Sequence, residues 1–246
     1  MRTIVQLIMI ALINNAQGIG DKIQFSSLPE IIFHNTNKKV IDYNNCWVFD
    51  HNPYVIRGNH DYDKIINPWD ISHSYKADYY LSISERFFKN SEFSDFKITL
   101  RHPRLYKFED IKIIPNRVVI HTTGKSEGGQ INDEVLHHIK NTYSNFEIIQ
   151  IGGLDDKPTE FINKLGLSLW ETAEIIASSS IFIGVNSGMM NIANCYPRIN
   201  RKIILNRDDL DTISPLNPNT GWLDYNVQYF NQTQFDIGTT YSFLKL

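Results

Sequence analysis

Apolar residues along this chain fall into short runs separated by polar turns. From about residue 117 onward those runs alternate with segments of helical period. Residues 118–122, 146–151, 181–185 and 202–205 are too short for helices and read as buried strands, while 133–143, 170–178 and 189–195 read as helices. Ala173, Ile176 and Ala177 show the helical spacing inside the second of these. Strands and helices in strict alternation predict an α/β fold, a parallel sheet with helices on both faces. The first half is less regular. Residues 7–13 form an apolar run, 27–33 are helix-like, 39–43 and 46–50 are further apolar runs, and 77–83 is another strand candidate. The I-P-N-R of residues 114–117 breaks the pattern and divides the chain into domains 1–115 and 116–246. No repeat of 20–50 residues and no low-complexity tract is visible.

Composition narrows the picture. The 246 residues suit one large domain or two small ones, and 42% hydrophobic with 12% aromatic content is ample for a core. A formal net charge of −3 gives no general attraction to nucleic acid or to anionic membrane, so any phosphate binding must come from local geometry. Cys46 and Cys195 both lie beside apolar residues and read as buried, reduced thiols of a cytosolic protein rather than a disulfide or zinc framework. At the N-terminus, Arg2 and an apolar run interrupted by Gln6 lead into a glycine-rich turn. A first buried strand explains that pattern and the G-I-G-D after it, with a secretory signal as the alternative. No apolar stretch approaches the ~20 residues that span a bilayer.

Candidate chemistry gathers at strand ends. Asn186, Ser187 and Gly188 follow the 181–185 strand, where a parallel sheet binds ligands and the next helix offers free N–H groups to an anion. An ordinary strand-to-helix turn is the competing account. Thr122, Thr123 and Lys125 end the 118–122 strand with hydroxyls and a cation, although a surface lysine is equally simple. A P-loop is excluded there, because Val119 stands where its first glycine belongs. Gly152 and Gly153 permit close approach of a base or ribose. Asp21, on the G-I-G-D turn, is either a general base or the cap of a helix starting near Ile23. Glu171 is either a ribose contact or a helix-surface acid. His60, Asp61, Asp63, Asp70 and His73 match no metal-ligand spacing and read as a solvated loop. Residues 101–110, R-H-P-R-L-Y-K-F-E-D, are either an acceptor-binding surface or a polar connection.

Four of these segments together resemble the heptosyltransferases, glycosyltransferase family 9. Leu169, Glu171, Ala173 and Ile176, then Asn186, Ser187, Gly188, Asn191 and Ala193, follow that family's helix and its D-S/T-G-x-x-H-x-A turn, with Asn186 for the aspartate and Asn191 for the histidine. The G-I-G-D ending at Asp21 with Ser27, Leu28 and Pro29, the N-P-Y-V of residues 52–55, and the V-V-I-H-T-T-G-K of residues 118–125 follow in the family's order. The resemblance implies two Rossmann-like lobes facing a cleft (the GT-B fold), with the N-terminal lobe reduced. It implies inverting transfer of a heptose-like sugar without a metal or other cofactor. Asp21 would be the base. Thr122, Thr123, Lys125, Gly152, Gly153, Asn186, Ser187, Gly188 and Asn191 would hold a nucleotide-sugar donor such as ADP-heptose. The implied partners are that donor and a glycan or glycolipid acceptor, with no nucleic acid. The implied location is cytoplasmic, with peripheral association to the inner membrane left open. Loss of ionisable groups at Asn186 and Asn191 leaves a catalytically silent nucleotide-sugar-binding protein as the alternative. A nucleotide-sugar epimerase is disfavoured because no Y-x-x-x-K pair stands in the proper context.

Overall fold

The computed structural model describes residues 9–73, 83–98, 100, 102–124, 129–185, 187–206 and 227–231. The described residues up to Lys107 form one compact unit and those from Phe108 a second. Both are α/β, and every strand pairing in either sheet is parallel.

The first unit is built on a small sheet of order β3-β2-β1-β4. Its strands are β1 (Ile10–Leu12), β2 (Val40–Asp42), β3 (Val55–Ile56) and β4 (Lys64–Ile66). Helix α1 (Ile19–Gln24) follows β1 through the glycine turn, and α2 (Leu28–Thr36) buries Leu28, Ile31 and Ile32. The apolar run at 46–50 is a single 3-10 turn over Trp47–Phe49 rather than a strand. The reason is local: the Cys46 N–H donates to the Asp42 carboxylate at 3.0 Å, which bends the chain immediately after β2. Helices α3 (Pro68–His73) and α4 (Ile83–Lys89) complete the described part. The strand candidate at 77–83 lies outside the described residues, except for Ile83, where α4 begins.

The stretch from 102 to 107 is tied down within this unit. Arg104 donates to both carboxylate oxygens of Glu30 at 2.9 Å, and the Tyr106 hydroxyl donates to Glu30 at 2.6 Å. The Arg104 guanidinium lies 5.0 Å from the Tyr106 ring centre. These side chains lock the connection onto α2, which accounts for their basic and aromatic character without an acceptor.

The second unit carries a six-stranded sheet of order β10-β9-β8-β5-β6-β7. Its strands are β5 (Ile114–His121), β6 (Glu147–Gly152), β7 (Ile162–Leu165), β8 (Ser179–Val185), β9 (Arg201–Asn206) and β10 (Val227–Asn231). Residues 114–117 are not a break but the start of β5. The pairing with β8 shifts register between Ile114 and Val118, as expected where Pro115 lacks an N–H for the ladder. Helix α5 (Asp133–Thr142) covers one face, where Val118, Ile120, Ile183, Val185, Ile203 and Leu205 pack with Val135 and Ile139. Strand periodicity sends Val119, His121, Phe182, Gly184 and Lys202 to the other face. Helices α6 (Leu169–Ala177) and α7 (Gly188–Asn194) pack there. Ser168 and Glu171 close a reciprocal cap on α6, so Glu171 is a helix-start acid bonded to Ser168. Cys46 and Cys195 are both buried and form no disulfide with each other. Among the described residues, no helix is long and apolar enough to cross a membrane.

Candidate functional site

The described residues singled out in the second half lie at or just beyond the carboxyl ends of β6, β5 and β8, three neighbouring strands. In a parallel sheet this edge collects the loops and leaves the other edge to structural turns. Thr122 and Thr123 follow directly on β5, and their hydroxyl oxygens lie 3.5 Å apart. The loop beyond them is closed by Gly124 N–H donating to Gly129 O at 2.7 Å and Ile131 N–H donating to Thr122 O at 2.9 Å. Lys125 belongs to that loop but lies outside the described residues, as does Asn186. Ser187 and Gly188 open α7, and Asn191 sits one turn further along it.

The floor beside Thr122 is a closed hydrogen-bond network around Gln150, a fully buried amide on β6. Its Nε2 donates to the Thr122 hydroxyl at 3.1 Å and to Lys157 O at 2.9 Å. Its Oε1 accepts from the Thr159 backbone at 2.7 Å and the Thr159 hydroxyl at 2.8 Å. All four bonding positions of the amide are therefore used, which rigidifies the edge. A cavity of about 330 Å³ opens there on the α5 side, lined by Thr122, Leu136, His137, Lys157 and Thr159 among others.

Gly152 and Gly153 lie at the end of β6, and the group approaching them is Asp156. A Cβ on Gly152 would meet the Asp156 carboxylate at 2.1 Å, and the Gly153 N–H donates to that carboxylate at 2.9 Å. Sequence reasoning missed the residue at the centre of the edge. His121, the last residue of β5, is 6% exposed, and its Nδ1 is 2.9 Å from the Ser187 hydroxyl. Burial pushes its pKa down to about 4, against an opposing pull from Asp156, so the imidazole is neutral at physiological pH. The signal was a histidine closing an otherwise apolar strand directly before two threonines. Asn191 is buried, donates to Ser187 O at 3.4 Å, and leaves its Oδ1 without a hydrogen-bond partner among the described residues.

Asp21 belongs to the first unit. The helix there begins at Ile19, not near Ile23, so Asp21 lies inside its first turn and is not the cap. Gly18 holds the cap position, no side chain caps the helix, and the Asp21 carboxylate lies against Gly18. The edge above β1 and β2 is rich in amides. Asn14 N–H donates to Asn44 Oδ1 at 3.2 Å, and Asn44 Nδ2 donates back to Asn14 O at 3.1 Å. Among the described residues, the acids and histidines after Asn59 form no group that could hold a metal ion. His60 pairs with Arg57 O, Asp63 accepts from Met9 N–H, and Asp70 accepts from Asn67.

No family model matches the sequence, and no curated protein is detectably similar to it at the sequence level. Solved structures are similar in fold. The ADP-heptose LPS heptosyltransferase II of E. coli matches with a TM-score of 0.62 over 97% of each chain, at 12% identity. The E. coli heptosyltransferase WaaC, in a structure with ADP, matches with a TM-score of 0.62 over 96% of this chain and 97% of that one, at 13% identity. A family 9 glycosyl transferase from Veillonella parvula matches with a TM-score of 0.67 over 96% of this chain and 89% of that one, at 10% identity. The chain thus has the α/β fold, with two parallel sheets, of GT-B heptosyltransferase structures.

Proposed function

We propose that this chain is an inverting, metal-independent glycosyltransferase that moves a sugar from a nucleoside-diphosphate donor to a glycan acceptor. The observation that carries the reading is the placement of Thr122, Thr123 and Ser187 directly after the adjacent strands β5 and β8, at their carboxyl ends. Three neutral donors at one edge suit a diphosphate in a chain whose net charge offers no general attraction to anions. The likeness to structures holding ADP or acting on ADP-heptose supports heptose, or a similar sugar, as the transferred group. The lps named for one of those structures supports a bacterial surface glycan, lipopolysaccharide or capsule, as the acceptor, and the reading places the protein in the cytoplasm.

In this reading the acceptor oxygen attacks the anomeric carbon from the face opposite the diphosphate. The carbon–oxygen bond to the diphosphate breaks, and Asp21 takes the acceptor's proton. Thr122, Thr123, Ser187, Lys125 and the Gly188 backbone stabilise the leaving diphosphate. Asn186 and Asn191 bind the phosphate or the sugar hydroxyls, and Gly152 and Gly153 border the nucleoside.

A second reading is a silent nucleotide-sugar-binding protein. It is favoured by Asn191, a non-ionisable group buried where the resembling family has a histidine. A thermal-shift screen with nucleoside diphosphates and nucleotide sugars identifies the ligand. Turnover by the wild type and by Asp21→Asn then separates the readings. Transfer should fall roughly 10²–10⁴-fold in the variant, with donor affinity unchanged. Near-normal turnover removes Asp21 as the base, and a wild type that binds but never transfers favours the silent protein.

A further inference from the structure

Ser187 stands where a serine normally caps its own helix by accepting a first-turn N–H. The neighbouring helices follow that rule. Asn132 accepts from Val135 N–H at 2.8 Å on α5, and Ser168 accepts from Glu171 N–H on α6. Ser187 makes no such bond, and its hydroxyl is turned to His121 Nδ1 at 2.9 Å. The position of His121 is built into the sheet. It is paired across the ladder with Gly184, where a Cβ would meet the His121 Cβ at 3.3 Å and the Phe182 ring at 3.0 Å. A side chain at 184 would crowd the imidazole that holds Ser187.

A buried neutral imidazole can meet a hydroxyl in two ways. If Nδ1 is bare, it accepts the serine proton and the hydroxyl presents only lone pairs outward. If Nδ1 carries the proton, it donates to the serine oxygen, and the hydroxyl keeps its own proton to give elsewhere. A phosphate oxygen carries lone pairs and negative charge, so only the second arrangement attracts it. We infer that His121 is a positioning residue for the donor. Its Nδ1–H holds the Ser187 oxygen so that the hydroxyl proton is aimed at a phosphate of the nucleoside diphosphate. This inference rests on the donor site proposed above.

The test uses calorimetric titration of the full chain with ADP and nitrogen-15 NMR of the His121 ring in the ADP complex. His121→Leu should weaken ADP binding about tenfold, as should Ser187→Ala, and combining them should cost little more. His121→Asn, whose amide nitrogen stands near the place of Nδ1, should restore binding to within about threefold of the wild type. The ring in the complex should carry its proton on Nδ1. Wild-type affinity in His121→Leu, or a proton on Nε2 in the complex, overturns the inference while leaving the donor site standing. The NMR measurement is made on the wild type and is independent of how the variants fold. A wild type that binds no nucleoside diphosphate overturns the proposed function, and this inference with it.

Discussion

Lys202 is the second residue of β9, fully buried on the face under α7, and its Nζ has no hydrogen-bond partner among the described residues. Burial pushes its pKa from 10.5 down to about 8, with Cys195 acting in the opposite direction. At about 1.4 kcal/mol per pH unit, this corresponds to roughly 3 kcal/mol of cost for keeping the ammonium charged inside the fold. The sign follows from linkage. Below about pH 8 both folded and unfolded chains carry the proton, and the cost is present in full. Between about pH 8 and 10.5 the unfolded chain still binds the proton and the folded one does not, so stability rises with pH. Lys202→Met keeps the length of the side chain and removes the charge. It should stabilise the protein by about 1–3 kcal/mol at pH 7, the upper end being the full desolvation cost. The advantage over wild type should shrink steadily between pH 8 and 10.5. Urea unfolding of both proteins at pH 7, 9 and 10.5 reads this directly, and the difference between them removes the tyrosines and thiols they share. A variant no more stable than wild type at pH 7, or an advantage that does not change with pH, would refute the reasoning.

Two further substitutions probe the separate units. Arg104→Ala leaves the buried Glu30 carboxylate with the Tyr106 hydroxyl and the His34 ring but without its guanidinium partner, and should cost about 2–3 kcal/mol by urea unfolding; calorimetry should show unchanged ADP affinity, because Arg104 serves the first unit's packing. Lys125→Ala should weaken ADP binding by about 1–3 kcal/mol, the range for a hydrogen bond to a charged group, and unchanged affinity would remove Lys125 from the donor site.

The second unit was legible in the sequence because β5, β6, β8 and β9 are apolar on both faces and stand out as continuous runs. Asn132 and Ser168 mark the starts of α5 and α6 with ordinary cap chemistry. Strand β7, I-N-K-L, escaped notice because an edge strand with three exposed residues carries no apolar run. In the first unit β1 and β2 fall inside the apolar runs at 7–13 and 39–43, whereas β3 and β4, two and three residues long, are too short for periodicity to separate from loop. The two glycines around Ile19 hid the start of α1, since glycine is a poor helix former and a good turn former. At the site, Thr122, Thr123 and Ser187 were legible as strand-end hydroxyls. His121 was not, because its role depends on Gly184 across the ladder and on Ser187, and neither contact leaves a trace in local spacing.

The wholly parallel character of both sheets bears on how the chain is made. Neighbouring parallel strands cannot zip together from a tight turn, and each pairing waits for a crossover to close. Strand β5, at the heart of the larger sheet, is flanked on one side by the next strand in sequence and on the other by β8, which follows only after β6, β7 and α6. During synthesis β5 and β6 therefore emerge as an apolar pair with a bare inner edge. They stay exposed to other chains until residues 179–185 leave the ribosome. A chain cut short before Ser179 would keep that edge open permanently, so the hazard of premature termination falls on the same strand that carries His121.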